Sequence, residues 1–322
     1  MSDKRVMLID TDTASDDAVA ILMAARHPDI ELVGVTLVSG NVSLQQGVIN
    51  ALYTLELCGN SVPVFAGCDK PLIQPRLHAH WYHGNDGMGD KNYPLPHRKE
   101  DSEHAVDAII RLAHQYSGQL ELVTLGPLTN IATALAKDPS IASKFKRVVM
   151  MAGAACTVGN VTPAAEYNVW CDPEAAQVVF TSGMAMEMVG WEVALQDAII
   201  SSSEIQDIYQ LDNELAKFAM DCNIHALRAS VDWLGDAGLI QNDPVAMAIA
   251  LEPSLSTANG LYRVEVELHG KLTRGMTVVD QRSVVGSIAG FTDEWVVRKP
   301  NILVHHKIDG RGWKRLLKDC LL

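Results

Sequence analysis

The chain has 322 residues, 48% hydrophobic composition and a net charge of −13. That is enough apolar material for a large α/β core, and no long basic run is present to hold nucleic acid or an anionic membrane surface. No apolar run reaches membrane-spanning length and no export signal precedes Val6. A soluble, cytoplasmic protein is therefore expected, with Cys58, Cys68, Cys156, Cys171, Cys222 and Cys320 as reduced thiols.

Val6-Met7-Leu8-Ile9 reads as a strand buried on both faces, since four consecutive apolar residues leave no polar side. It runs into Asp10, Asp12, Asp16 and Asp17, and residues 18–25 then have helical composition. The acids therefore lie on a turn between a buried strand and a helix, at the edge where open α/β sheets bind ligands. A helix cap would account for Asp16 or Asp17. It does not account for Asp10 and Asp12 at the end of a buried strand. Like charges this close need a cation, donors or protons to coexist, and a hard divalent cation held by oxygens is the simplest answer.

A second strand is predicted over 31–38, ending at Ser39-Gly40-Asn41-Val42, with a helix from about 43. A short strand covers 62–67, and 71–96 is a long irregular segment, a kind that is usually functional or disordered. Residues 102–116 form a helix with Ala105, Ile109, Leu112 and Ala113 on one stripe. Strands follow at 120–125, 147–153 and 186–190, and helices at 128–136 and 173–181. The pattern from 203 to about 234 is helical, Asp243-Pro244 opens a helix reaching 251, and strand-like runs begin at 262, 277 and 301. No linker, repeat or composition break divides the chain. The expectation is one domain over 1–322: α/β, an open mostly parallel sheet with helices on both faces.

The strand ends carry polar residues suited to one sugar site: Asp10 and Asp12, Asn41, Leu125-Gly126, Gly159-Asn160 with Glu166-Tyr167-Asn168, and later Asn242-Asp243-Pro244. Singly these are ordinary, Asn41 as a loop residue and Asp243 as an N-cap. Their shared edge is what makes them a set.

These stretches resemble the motifs of the nucleoside hydrolases, a family of calcium-dependent N-ribohydrolases that includes inosine/uridine-preferring members. Asp10 to Asp17 resembles the family's Asp-x-Asp-Pro-Gly-x-Asp-Asp, with Thr13-Ala14 in place of Pro-Gly. Gly126-Pro127-Leu128-Thr129-Asn130, Glu166-Tyr167-Asn168 with Asp172-Pro173-Glu174-Ala175-Ala176, Asn242-Asp243-Pro244, and Thr273-Arg274-Gly275-Met276-Thr277-Val278-Val279-Asp280 follow in the family's order and approximate spacing. The resemblance spans nearly the whole chain. It implies a Rossmann-like nucleoside hydrolase fold, a homodimer or homotetramer, and cleavage of ribonucleosides to ribose and free base. It also implies that Asp12, Asp17 and Asp243 hold Ca2+, with Asp10 in or beside that shell and the Leu125 carbonyl as a further ligand. Asp12 would be the base for a water activated on the ion. Asp16, Asn41, Glu166 and Asn168 would bind ribose hydroxyls, with Asn160 nearby.

The departure lies at the leaving group. Well-studied members often carry His or an aromatic residue just before the last metal-binding Asp. Here that position is Asn242, which donates a hydrogen bond but is no acid near neutral pH. His83, in a Gly-rich segment that resembles one of the family's, is the first candidate for the acid, on a closable loop and with an imidazole titrating near the working pH. His225 is the second, although a lone helical histidine is more often structural. Trp81 and Trp233 are candidates to stack on a base, although a core or rim tryptophan is the commoner case, and Cys156 is a candidate to line the site, although a small buried residue is the default. The rival enzyme is a phosphatase of the haloacid dehalogenase type. Asp10-Thr11-Asp12-Thr13 imitates its motif, but Ala14 stands where Thr or Val belongs. The rival of another class is a nucleoside-binding protein without catalysis, supported by Asn242 alone. No GxGxxG follows the first strand, which disfavours a dinucleotide oxidoreductase.

Overall fold

The computed structural model describes residues 4–195, 198–235, 238–282 and 299–322, without the side chains of Trp233 and Leu234. Its strands are β1 (Arg5–Thr11), β2 (Ile30–Leu37), β3 (Val64–Ala66), β4 (Glu121–Thr124), β5 (Arg147–Met151), β6 (Met186–Val189), β7 (Ile200–Ser201), β8 (Gly238–Leu239), β9 (Ser256–Val266), β10 (Thr277–Asp280) and β11 (Ile302–Ile308). Nine of them form one sheet in the order β10-β9-β11-β6-β5-β4-β1-β2-β3, and β7 pairs with β8 separately. From β11 to β3 all neighbours are parallel, while β9 runs antiparallel to β11 and β10.

Successive side chains on a strand point to opposite faces, so a strand of unbroken apolar residues feeds two cores. Met7, Ile9, Val149 and Met151 enter one core, and Leu8, Val148 and Met150 the other. The helices that cover them are, in chain order, α1 (Ser15–Arg26), α2 (Leu44–Leu57), α3 (His80–His83), α4 (Ala105–Gln115), α5 (Thr129–Lys137), α6 (Tyr167–Cys171), α7 (Pro173–Phe180), α8 (Ser202–Tyr209), α9 (Glu214–Asp221), α10 (Ile224–Leu234), α11 (Asn242–Leu251) and α12 (Gly310–Leu321). Residues of α1, α2, α11 and α12 join the first core, and residues of α4, α5 and α7 the second. The expected mostly parallel sheet with helices on both faces is present. Among the described residues, no helix is long and apolar enough to cross a membrane.

The chain builds β1, β2 and β3 outward in one direction and then places β4 on the other side of β1. Strand order reverses there, and the carboxyl ends of β1 and β4 open onto the resulting crevice. Asp10 pairs in register with Thr36 of β2 and Thr124 of β4. The acidic turn after β1 thus sits at the switch point.

The predicted helical stretch from 203 to about 234 is three helices rather than one. Asp212 takes a left-handed φ of 47°, and the Asn213 side chain then accepts the Ala216 N–H to start α9. α12 was not among the predicted elements. It is polar over most of its surface and buries Trp313, Leu316, Leu317 and Cys320 on one stripe.

α11 is buried along its length. Its last carbonyls receive two arginines from the strands beneath. Arg5 donates to Leu251 O at 2.7 Å and Ala250 O at 2.6 Å, and Arg147 donates to Ala250 O at 3.0 Å. Cations are favourable at a helix C-terminus, where carbonyls lack partners. Arg5 is paired in turn with Glu121, and Arg147 with Glu187 at 2.7 Å. Burial pushes the Glu187 carboxyl up, but hydrogen bonds from Arg147 and His305 and their charges outweigh it and hold the group down at about 2.

Because the Glu187 carboxyl titrates lower in the folded chain than its usual 4.5, its contribution is complete above that value and is lost as pH falls toward about 2. Glu187→Gln is expected to lose about 1.5–3 kcal/mol at pH 7, the range for a hydrogen bond to a charged group. In urea unfolding, the gap between the two proteins should narrow as pH is lowered from 4.5 toward 2. A gap independent of pH would show that the ion pair does not stabilise the fold.

Candidate active site

The strand β1 delivers Asp10 and Asp12 to the switch point, and the first turn of α1 delivers Asp16 and Asp17. Asp17 caps its own helix, its Oδ2 accepting the Ala14 N–H at 2.9 Å. The Thr11 hydroxyl donates to Asp17 Oδ1 at 2.5 Å, and Asn41 Nδ2 donates to its Oδ2 at 3.4 Å. The Asn41 N–H donates to Asp12 Oδ2 at 2.5 Å. Two glycines make room for that carboxylate. A Cβ on Gly40 would stand 2.0 Å from Asp12 Oδ2, and one on Gly126 would stand 2.6 Å from Oδ1. Asn50 Nδ2 bridges Thr13 O and Asp86 O at 2.9 Å each, tying the acidic turn to the segment after α3.

α11 adds the last acid. Its first turn carries Asp243, and the backbone N–H groups of Asp243 and Asn242 lower the Asp16 pKa by hydrogen bonding. Oxygens of Asp16, Asp17 and Asp243 lie within 4.8 Å of one another. All four of Asp12, Asp16, Asp17 and Asp243 are buried. Burial raises each carboxyl, and like charge raises Asp12, Asp17 and Asp243 further. Asp16 is pushed up to about 6 by burial, against the pull of surrounding N–H groups. Asp12 Oδ1 and Asp16 Oδ1 are buried without a hydrogen-bond partner among the described residues. Buried carboxyls in this state need a cation or a proton. An all-oxygen donor set with orphaned carboxylate atoms fits a hard divalent ion. By composition and by geometry the acidic cluster could hold a metal ion.

Asp10 is not part of that cluster. Its Oδ1 is taken by the Thr36 hydroxyl at 2.6 Å and by Asn130 Nδ2 at 2.8 Å, while its Oδ2 is buried without a hydrogen-bond partner among the described residues; like Asp12 and Asp17, it does not line the cavity. Burial raises it to about 7 against those two donors. Of the two places the resemblance allows it, in the shell or beside it, these bonds favour the second. Asn130 also donates to Leu37 O and accepts the Cys68 N–H, so it joins β1, β2 and the loop after β3. Nothing in its sequence position announced that role beyond its place in the Gly-Pro-Leu-Thr-Asn motif.

A cavity of about 260 Å3 opens beside the acids. Asp16, Asn41, Leu125, Asn160, Glu166, Asn168, Asn242, Asp243, Trp81 and His83 line it, as expected from the sequence. Glu166 caps α6: its Oε1 accepts the Asn168 N–H at 2.8 Å, and its Oε2 the Gly153 and Val169 N–H groups at 2.8 and 3.2 Å. Burial pushes it up to about 7 while those N–H groups pull it down. Three donors leave a carboxylate room for one more. Asn168 Nδ2 is committed to Leu125 O at 2.8 Å and Met151 O at 3.1 Å. Asn160 Oδ1 accepts the Tyr167 N–H at 2.9 Å.

The sequence did not single out Tyr82, Val158, Trp191 or Ile240, which also line the cavity. Trp191 is 8% exposed and donates to Val158 O at 2.8 Å, fastening the loop that covers one wall. In the sequence these residues look like core, and only their convergence marks them.

Three expectations at the leaving-group end change. His83 is buried on α3, with Nδ1 2.7 Å from Ser15 Oγ and 3.9 Å from Asp16 Oδ1. Burial lowers it to about 4, so it is neutral at working pH instead of titrating there. His225 does not line the cavity; its Nε2 lies 3.4 Å from Asp90 Oδ2, toward the turn after α3. Cys156 is exposed, in a left-handed conformation, and outside the cavity. The Trp233 side chain lies outside the described residues. Trp81 stands at the cavity, half exposed.

A buried acidic cluster joined to a polar and aromatic cavity, on this sheet order, is a hydrolase site of one class. A model of the inosine-uridine preferring nucleoside hydrolases matches residues 7–315, and the chain belongs to that family. The probable uridine nucleosidase 1 of Oryza sativa subsp. japonica is 34% identical over 314 residues, covering 94% of this chain and 95% of that one. A solved plant nucleoside hydrolase, the PpNRh1 enzyme, superposes with a TM-score of 0.90 at 30% identity over 98% of both chains. The purine-preferring ribonucleoside hydrolase from Gardnerella vaginalis does so with a TM-score of 0.88 at 31% identity, again over 98% of both chains. The protein is an enzyme that hydrolyses the N-glycosidic bond of ribonucleosides to ribose and free base. The phosphatase and the non-catalytic readings are set aside.

Gly126→Ala tests the fit around Asp12. Its Cβ would meet Asp12 Oδ1 at 2.6 Å and Asp12 N at 2.9 Å, and backbone cannot swing aside. With an unchanged far-ultraviolet dichroism spectrum, kcat/KM should fall about 100-fold, the scale set by a ~1 Å misplacement. Wild-type kinetics in this variant would show that the Asp12 position is not tightly required.

Proposed function

We propose that the acidic cluster holds Ca2+ and that Asp12 is the general base of the hydrolysis. The observation that carries this reading is the pair of orphaned buried oxygens, Asp12 Oδ1 and Asp16 Oδ1, in a group of carboxylates that reaches the cavity through Asp16 and Asp243. Asp12, Asp17 and Asp243 would supply carboxylate ligands, and the Leu125 carbonyl, which keeps a second lone pair beyond its bond to Asn168, would add another. When bound, the ion supplies a positive field that lowers the pKa of a coordinated water.

The chain's own groups do the rest. Asp12, with one oxygen held by the Asn41 N–H and the other without a protein partner, accepts the proton of the attacking water. The water oxygen bonds to the anomeric carbon as the bond to the base nitrogen breaks; that electron pair leaves with the base, which takes up a proton from solvent as Asp12 gives its own back. Positive charge develops on the ribosyl ring in between, as in glycoside hydrolysis. Asp16 and Glu166 face the cavity as carboxylates and favour that charge. Asp16, Asn41, Glu166 and Asn168 hold the ribose hydroxyls, with Asn160 behind Tyr167, so the sugar is fixed before reaction. At the base, neutral His83 and Asn242 serve as hydrogen-bond donors to the departing nitrogen heterocycle, and Trp81 packs on its face.

Chelation of the purified enzyme should abolish ribose release from inosine and uridine, as read by a reducing-sugar assay, and added Ca2+ should restore it. Full turnover in a sample shown by elemental analysis to be metal-free would exclude the metal reading. Asp12→Asn should still bind nucleoside while kcat drops by at least ~10²–10⁴-fold, as expected when a general base is lost. A near-normal kcat would remove Asp12 from that role.

A further inference from the structure

Residues 273–280 form a sequence motif that gives no side chain to the cavity. Its strand, β10, is at the far edge of the sheet. One residue of it nevertheless reaches the frame of the site. Thr277 is 2% exposed, and its hydroxyl serves both backbone groups of one residue. It accepts the Ala154 N–H at 2.9 Å and donates to the Ala154 carbonyl at 2.7 Å. That double bond pattern clamps the turn after β5. The preceding residue, Gly153, has φ +76°, and a Cβ there would stand 2.6 Å from Thr277 Cγ2. Only glycine lets the turn lie this close against the threonine. The Gly153 N–H, aimed by this turn, donates to Glu166 Oε2 at 2.8 Å.

We propose that Thr277 is a positioning residue for Glu166: by clamping Ala154 it aims the Gly153 N–H, which sets the carboxylate's orientation toward the ribose. The proposal rests on the reading of Glu166 as a sugar ligand. Without the hydroxyl, both buried backbone groups of Ala154 lose their partner, and the glycine beside them has the freedom to turn. Glu166 keeps the Asn168 and Val169 N–H groups, so it remains in the site with one constraint fewer.

The test is steady-state kinetics on inosine and uridine for Thr277→Val, Thr277→Ser, Glu166→Gln and the double variant Thr277→Val with Glu166→Gln, with thermal unfolding followed in parallel. Thr277→Val keeps the shape and removes the hydroxyl; kcat/KM should fall about 10–100-fold, mostly through a higher KM, the scale expected for a misplaced positioning group. Thr277→Ser should restore most of the loss. In the Glu166→Gln background the valine substitution should cost little more, because coupled residues are not additive. Equal losses in both backgrounds would overturn the proposal alone, as would a fall in kcat at unchanged KM that tracks a reduced folded fraction. A harmless Glu166→Gln would overturn the sugar-ligand reading and the proposal with it.

Discussion

Four buried carboxylates at one point of the fold are the constraint on which the structure turns. Asp12, Asp16, Asp17 and Asp243 come from β1, α1 and α11, and burial acts against the charge of each. In an apolar interior such a set is unstable unless donors and a cation meet it. The donors are in place: the Asn41 and Ala14 N–H groups, the Thr11 hydroxyl and the N-terminus of α11. What remains without a protein partner among the described residues is Asp12 Oδ1 and Asp16 Oδ1. The same electrostatic tension that weighs against folding suits the cluster to a metal ion and to a cationic group.

The helix α11 carries that tension across the protein. Its N-terminal end meets the acids, and its C-terminal carbonyls meet Arg5 and Arg147. Negative groups at one end and positive groups at the other match the helix dipole. The arginines are fixed in turn by Glu121 and Glu187, on strands that start below the site. α1 packs against α11, so the two helices that bear the acids are held as a unit. Alternating charge along one axis therefore aligns the floor of the sheet with the site at its top.

The cavity divides its labour by chemistry. Its carboxylates and amides are suited to hydroxyls, and its aromatic and aliphatic residues to the face of a flat heterocycle. Trp191, Tyr82, Val158 and Ile240 supply apolar contact that does not distinguish one base from another by itself. Asn242 and His83 add neutral polar contacts beside it. One related protein is named for uridine and a structural neighbour for purine nucleosides, on the same frame.

The sheet, most helices and the acidic turn were legible in the sequence, because period, apolar runs and the crowding of Asp residues are local properties. A strand such as Val6-Met7-Leu8-Ile9 must be buried on both faces whatever surrounds it. The break of the 203–234 stretch into three helices was less legible, since it depends on one left-handed aspartate and one asparagine cap. α12 hid behind its polar face. Within the site, residue type alone did not separate Asp10 from Asp12, although they are two positions apart. The tertiary structure decided between them: Thr36 and Asn130 arrive from β2 and α5 to occupy Asp10, while Gly40 and Gly126 leave space for Asp12. His83 and His225 were likewise equal as letters. Burial beside Ser15 brought one into the cavity as a neutral ring, and Asp90 drew the other away. The sequence by itself determined which groups were available and that they lay at one edge. Which of them are free to act was decided by the neighbours that folding brings from distant segments, because a hydrogen bond or a clash forms only between groups that meet in space.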